Sequence, residues 1–512
     1  MINYSKRKKN FLILLLINLV VFVNIILAQA TNKTIIYLDS TDQVIQGFGA
    51  ANILPWRPDM KPDEIIKAFG TDDGQLGFTI LRLRLPSDPN EFARNVQTAK
   101  AAHSMGVKII ASPWSPPAYM KSNKNIVGGR LLDEYYDDYA LHLKSFVDFM
   151  ASNGVPIYAV SVQNEPDIKV NYESCDWTAA EMVKFIRENA PTVGTRIIAP
   201  ESYQFIKTIS DAILNDPIAV KNVDIIGGHI YGGGLEPYPL AKSKGKELWM
   251  TEHLETDTTW QKVLETGKEI HDCMIAGMNA YIWWYIVRFY GPILENSQVS
   301  KRGYIMSQFS RFIRPGFVRV YNSNAKYIDN RKGIEIYTSA YKSNDKIIIV
   351  VVNMGISIEQ TFVLDSKTAN KFTPYITTKT KNCERGNDIN VVNNSFTFTI
   401  EGESVTTFVS DGIFTSVEED LLPEEFNLSQ NYPNPFNPST IINYQLPERN
   451  FVTIKVYDVL GKEITTLVNE FKEAGNYKIE FSADKYNLSS GIYFYTLKAG
   501  TNFAVKKMIY VK

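Results

Sequence analysis

From Gln46 to about Ile286 the chain alternates short β-branched runs with amphipathic stretches, and this alternation constrains the fold more than any other feature. The candidate strands begin at Gln46 (QGFGAA), Phe78 (FTILRLRL), Val107 (VKIIASPW), Ile157 (IYAVSVQNE), Thr195 (TRIIAPE), Val223 (VDIIGGHIY), Glu247 (ELWMTEH) and Ala280 (AYIWWYI). Most are near-continuous apolar runs, as expected where both strand faces are covered. Between them lie segments such as DEYYDDYALHLKSFVDFMASNG, with helical apolar spacing and Gly154 as a stop. Eight strands in about 240 residues, each followed by a helical stretch, predict an α/β fold, a (β/α)8 TIM barrel. Its expected limits are residues 46–315. A doubly wound open sheet is the alternative, but the first strand lacks the glycine-rich phosphate turn of that fold.

At 512 residues the chain exceeds one ordinary domain. Over 316–414 its character changes: GIEIYTSAY, KIIIVVVN and SFTFTIEG are antiparallel-type strands between Asn, Asp and Gly turns. They predict a side β-sandwich attached to the barrel. The early run TIIYLDST, within 31–45, is expected to join that sandwich as an edge strand. An acidic linker over 415–425 leads to a small all-β domain over 426–512, where no residues cluster into an active site. The first 30 residues read as a cleaved signal peptide: basic Lys6 to Lys9, apolar Phe11 to Leu27, then Ala28-Gln29-Ala30. A membrane anchor is the alternative, although Asn18 and Asn24 interrupt the apolar run.

A net charge of -1 supplies no basic face for nucleic acid. Three scattered cysteines, Cys175, Cys273 and Cys383, form neither a disulfide framework nor a thiolate zinc site, and are expected to be free and mostly buried. The five histidines include no HExxH pair, and no G-x-S-x-G elbow is present, so neither metal catalysis nor serine chemistry is expected.

Barrel enzymes carry their reactive groups at the C-terminal ends of strands, and Glu165 (VSVQNEPD) and Glu252 (LWMTEH) both stand there. Two carboxyls facing each other across a barrel mouth suit a glycosidase. Period-two alternation places Ala159, Ser161, Gln163 and Glu165 on the inner strand face. It likewise sets Ile80, Arg82 and Arg84 inward, where a buried guanidinium needs an anionic partner. Either a carboxylate nucleophile or a helix carboxylate would serve. Trp114 and Trp284 are candidates for a floor on which a sugar stacks, Trp283 for core packing. His229 and Tyr231 end the sixth strand, within reach of Glu252 or a sugar.

GFGAA, LRLRL, SPWSPPAYMK, VSVQNEPD, APESYQF, GGHIYG, LWMTEH, WWYIVRFYGP and SKRGYIMSQFSRFIRPGFVRV together resemble glycoside hydrolase family 30. The likeness is strongest to the glucuronoxylanases of subfamily 8 and runs from about Gln46 to Val409. It implies a retaining endo-β-1,4-xylanase without cofactor or metal, expected as a monomer. Glu165 would be the acid/base, protonated at rest, and Glu252 the ionised nucleophile. Asn164 would hold the sugar 2-hydroxyl, with Trp114 and Tyr231 lining the subsite of cleavage. Such enzymes grip a glucuronic acid branch through an arginine after the eighth strand, here Arg288, with Tyr290 a further substrate-binding candidate. Two departures argue against strict dependence on the branch. Val287 precedes Arg288 where many relatives carry a second arginine, and the short loop HLETDTTWQ places Glu255 and Asp257 where they would repel a uronate. The alternatives are another family 30 specificity, such as a β-1,6-glucanase, or a non-catalytic carbohydrate-binding protein.

The C-terminal segment, with NYPNPFNPST and GIYFYTLKAG, resembles the type A sorting domain of the type IX secretion system. That implies the secretion machinery as a partner and a Gram-negative source. It also implies an extracellular or surface-attached product. A carbohydrate-binding module is the alternative.

Overall fold

The computed structural model describes residues 32–415 and 425–512. The signal-peptide expectation over 1–30 and most of the linker over 415–425 fall outside the described residues. The chain divides into two compact units, Met1–Ser416 and Val417–Lys512.

In the first unit β1 (Lys33–Val44) precedes eight parallel strands: β2 (Gly47–Asn52), β3 (Ile80–Leu85), β4 (Lys108–Pro113), β5 (Ile157–Ser161), β6 (Arg196–Ser202), β7 (Ile225–His229), β8 (Glu247–Glu252) and β9 (Ala280–Tyr285). β2 pairs with both β3 and β9, which closes the barrel. Alternation sorts each strand between two cores. Ile80, Ile110, Ala159, Ile198, Ile225 and Trp249 form the cluster inside the ring. Leu81, Leu83, Ile109, Val160 and Val162 face the helices outside. Fully burying such a side chain stabilises the fold by roughly 1.5–3 kcal/mol. At the seam Gly49 is required, because a Cβ there would lie 2.0 Å from the Ile80 carbonyl oxygen.

The helix Tyr136–Ser152 follows its sequence pattern, burying Tyr139, Leu143, Phe146 and Met150 on one face. It stops as Gly154 takes φ +80°. Tyr139 is buried, and its hydroxyl donates to the Val162 carbonyl at 2.8 Å. That bond ties the helix to the segment carrying Glu165.

Beyond the barrel lies an 11-stranded sheet. Its central strands include β10 (Val318–Asn322) and Ile347–Asn353. In the latter, Ile348, Val350 and Val352 join the barrel's outer core, while Ile347, Ile349 and Val351 join a second core. Burial on both faces explains the unbroken apolar run. The sheet curls until its arms meet: Phe372 and Phe396, from different arms, stack with centroids 4.6 Å apart. One expectation is corrected here. β1 is not an edge strand; it pairs antiparallel with β10 and parallel with Ile358–Asp365. Ile36 and Leu38 point into the second core with no exposure, so one face and both edges of β1 are used.

The second unit holds a three-stranded and a four-stranded sheet around a core that includes Ile442, Val452, Ile454, Tyr495 and Leu497. Among the described residues no helix is long and apolar enough to cross a membrane. Cys175, Cys273 and Cys383 are free and buried.

Candidate active site

The strand ends at one mouth of the barrel bring a compact charged cluster together. β3 supplies Arg82, fully buried, whose Nη1 donates to Glu252 Oε2 at 2.6 Å. Its Nη2 donates to Asn164 Oδ1 at 2.6 Å and its Nε to Ser112 Oγ at 3.2 Å. Arg84, two residues on, instead holds Glu173 through two bonds of 2.8 and 2.6 Å. The two inward arginines therefore part: one braces the site and the other ties down the loop after β5.

Strict alternation fails where the chemistry begins. β5 ends at Ser161, yet pairing persists through Asn164 N–H to the Pro113 carbonyl at 2.8 Å and Glu165 N–H to the Glu201 carbonyl at 3.0 Å. Gln163 donates to the Trp114 and Asn164 carbonyls and accepts from the Trp177 indole, which belongs to the outer core. Asn164 and Glu165, adjacent in sequence, both reach the mouth. Glu165 takes φ +50°, a left-handed conformation uncommon outside glycine, and that turn puts two consecutive side chains on one side.

His229, ending β7, has no exposure; its Nδ1 lies 2.9 Å from Glu165 Oε1. Tyr172 donates to Glu165 Oε2 at 2.6 Å, and Tyr231 to Glu252 Oε1 at 2.9 Å. Above these groups lies a cleft of about 420 Å³ lined by Glu165, Glu252, Trp114, Tyr231 and Trp284, joined by Trp56, Tyr172, Tyr203 and Leu254. Trp114 packs against Trp56 and Trp284 at 5.4 and 5.7 Å, and the Arg82 guanidinium sits 4.8 Å from the Trp114 ring. Tyr231 stacks on Tyr203 at 5.1 Å. Flat apolar rings over buried carboxylates make a surface for a sugar: its C–H faces meet the rings and its hydroxyls meet the charges.

Asn164, His229 and Arg82 lie beneath this lining. Arg288 and Tyr290 are not part of it. Arg288 Nη1 meets Glu295 Oε1 at 3.0 Å, and Arg57 meets the same oxygen at 2.7 Å. Trp283 is buried under the Arg302 guanidinium, in the core as expected. Sequence reasoning missed Trp56, Tyr172, Tyr203, Leu254 and above all Glu201. Only Glu201 carried a signal: APES ends a strand on a carboxylate, as QNE and MTE do.

The electrostatics of the cleft push the two carboxyls in directions opposite to those expected. For Glu165, burial pushes the pKa up, but hydrogen bonds from His229 and Tyr172 and the charges of His229 and Arg82 outweigh it and hold it below the usual value. For Glu252, burial dominates over His229 and Arg82 and raises it. His229 is raised as well: burial opposes its charge, yet Glu252 and Glu165 outweigh burial. Glu165, His229 and Glu252 also bring three ligand-type atoms within 4.8 Å of one another. Arg82 already supplies positive charge to Glu252 in that cluster.

Residues 62–246 match the glycosyl hydrolase family 30 TIM-barrel domain, and residues 430–512 the secretion system C-terminal sorting domain. The chain is 43% identical over 399 residues to glucuronoxylanase XynC of Bacillus subtilis, spanning 74% of this chain and 92% of that protein. A family 30 endoxylanase from Clostridium papyrosolvens superposes with TM-score 0.68 at 37% identity, covering 74% of this chain and all of that one. A family 30 subfamily 8 xylanase from Clostridium acetobutylicum gives TM-score 0.69 at 35% identity, with the same coverage. A match of 43% identity that spans 92% of a glucuronoxylanase, together with the family's barrel-domain model over residues 62–246, shows that the chain belongs to glycoside hydrolase family 30.

Proposed function

We propose that this glycoside hydrolase is a secreted endo-β-1,4-xylanase that cleaves its polymer with retention, Glu252 attacking the anomeric carbon and Glu165 serving the leaving oxygen. One observation carries the stereochemistry: an oxygen of Glu165 lies within 4.8 Å of an oxygen of Glu252. Retaining pairs stand about 5–5.5 Å apart, whereas inverting pairs need about 6.5–9.5 Å to admit a water. In the first step a Glu252 oxygen bonds to the sugar carbon while Glu165 passes a proton to the departing glycosidic oxygen. In the second, water attacks that carbon, Glu165 takes the water's proton, and Glu252 leaves. Arg82 and Tyr231 aim and stabilise the Glu252 carboxylate, and Asn164, clamped by Arg82, is placed to hold a sugar hydroxyl.

Support for xylan comes from the relatives, a glucuronoxylanase and two xylanases at 35% to 43% identity. A glucuronate branch is accepted on this reading but not required. Arg288 is already neutralised by Glu295, which Arg57 shares. The loop after β8 contributes Leu254, an aliphatic side chain, to the cleft. The sorting domain directs the protein to the cell exterior or surface. A Gram-negative source and a cleaved signal peptide complete the proposal.

The test is product profiling on glucuronoxylan, linear xylan and β-1,6-glucan side by side, with the anomeric form of the first product read by NMR. Cleavage of both xylans with β-anomer formed first is expected. Action on the glucan alone, or an α-anomer first, would overturn the assignment.

A further inference from the structure

Beneath the two proposed catalytic carboxylates lies a third that the mechanism does not use. Glu201, in β6, has no exposure and does not line the cleft. It takes φ +56°, so a charged side chain is buried on a strained backbone. Its two charged partners come from two other strands of the barrel. Arg82 Nη2 on β3 lies 3.3 Å from Glu201 Oε1, and His229 Nε2 on β7 lies 4.0 Å from the same oxygen. Among the described residues neither Glu201 oxygen makes a hydrogen bond, so it is held by charge and not by hydroxyls; Ser161 donates to the Gln163 carbonyl instead.

The distances distinguish a role. Arg82 gives its short contacts of 2.6 Å to Glu252 and Asn164 and keeps a longer one for Glu201. His229 gives Nδ1 to Glu165 at 2.9 Å and turns Nε2 toward two carboxylates, Glu201 at 4.0 Å and Glu252 at 3.9 Å. That nitrogen is buried and makes no hydrogen bond. A side chain serving only to fix Arg82 would compete for its short bonds. Glu201 instead sits where its charge acts on both cations at once.

We propose that Glu201 is a positioning residue for the reaction: its fixed negative charge keeps the His229 imidazole protonated against Glu165, so that the proton needed by the leaving group is stored on His229. This rests on the roles assigned above to Glu165 and Glu252. The proton moves from Nδ1 of the imidazolium to Oε1 of Glu165, leaving both groups neutral. It then passes to the glycosidic oxygen as Glu252 bonds to the sugar carbon. In the second step the proton of the attacking water travels back through Glu165 to His229. The charges facing His229 are Glu165, Glu201 and Glu252 on one side of the balance and Arg82 on the other. Tyr172 and Tyr231 carry hydroxyls that stay protonated, since burial and the carboxylates raise their pKa values. Burial works against the charge of Glu201, but Arg82 and His229 outweigh it and hold its pKa low, so Glu201 is the constant member of the set.

The experiment is the pH dependence of kcat/KM for Glu201→Gln, which keeps the shape and removes the charge. The basic limb is expected to move to lower pH by about one unit or more, the smaller end of what a charge within about 4–6 Å contributes. KM is expected to hold within about twofold and kcat to fall at neutral pH. Glu201→Asp should restore the limb. A basic limb that superposes on wild type would overturn the proposal. Should Glu201→Gln not fold, ring ¹⁵N shifts of the wild-type protein decide: it has five histidines, and His229 is assigned by its loss in His229→Asn. An imidazolium at neutral pH supports the proposal and a neutral ring overturns it. Labelling of wild type and Glu201→Gln with an activated 2-fluoro-xylobioside separates the two ideas. Label on Glu252 leaves the catalytic assignment standing even if the limb does not move, and no label on Glu252 in wild type means that assignment has failed.

Discussion

Replacing Arg82 with methionine removes the guanidinium but keeps an unbranched chain of similar reach. Four groups then lose their partner: Glu252 at 2.6 Å, Asn164 at 2.6 Å, Ser112 at 3.2 Å and Glu201 at 3.3 Å. Arg82 and Glu201 have no exposure, and Glu252 little, so water cannot take over the lost role. Removing one partner of a buried ion pair costs about 3–5 kcal/mol, chiefly because the other charge is left uncompensated. The loss carries a pH signature. Glu201 has a folded pKa below its unfolded value, since Arg82 and His229 outweigh burial, so it contributes stability above the unfolded carboxylate pKa that disappears as pH falls through the folded one. Without Arg82 that contribution goes. The destabilisation should therefore be full at neutral pH and shrink below pH of about 4, where Glu201 is neutral in the unfolded chain too. All 7 tryptophans lie between Trp56 and Trp284, so tryptophan fluorescence during urea unfolding reports the barrel unit alone. Equal destabilisation at both pH values, or a loss under about 1 kcal/mol at neutral pH, would refute the reasoning that buried charge balance holds this site together.

Three further outcomes are expected. The acid limb of the kcat/KM profile should lie above the ordinary glutamate range, because burial raises Glu252, and the basic limb above about 6.5, because Glu252 and Glu165 outweigh burial at His229; a limb at the ordinary glutamate value would contradict the Glu252 direction. Glu165→Ala should slow xylan hydrolysis by about 10²–10⁴-fold while sparing glycosyl-enzyme formation from an aryl xylobioside with a good leaving group; equal loss in burst kinetics on both substrates would remove its acid role. Arg288→Ala should leave kcat/KM on linear xylan unchanged and weaken glucuronoxylan by less than about tenfold, about 1.4 kcal/mol, since Glu295 already holds that guanidinium; abolished activity on glucuronoxylan would show the branch to be obligatory.

The barrel was legible because eight doubly covered strands leave near-continuous apolar runs that few other architectures use. Glu165 and Glu252 were legible as carboxylates closing two of those runs. What local pattern could not show was the φ of +50° at Glu165, which brings Asn164 to the same side and breaks the alternation. Nor could it show β1 as an interior strand, because that position depends on pairing with Ile358–Asp365, more than 300 residues away in sequence. Tyr172, Tyr203 and Trp56 stand in loops, where side-chain direction follows from the folded path and not from spacing. The resting proton is subtler still. It depends on a balance among three carboxylates, a histidine and an arginine contributed by five different strands and the turns that follow them, which exists only once the ring has closed.

The proposed mechanism requires a covalent intermediate on Glu252. Incubating the protein with an activated 2-fluoro-xylobioside, followed by proteolysis and mass spectrometry, reads it directly. One fluoroglycosyl adduct is expected on the peptide carrying Trp249-Met250-Thr251-Glu252, absent in Glu252→Ala. An adduct on the peptide of Glu165, or turnover of xylan with no adduct on Glu252, would contradict it.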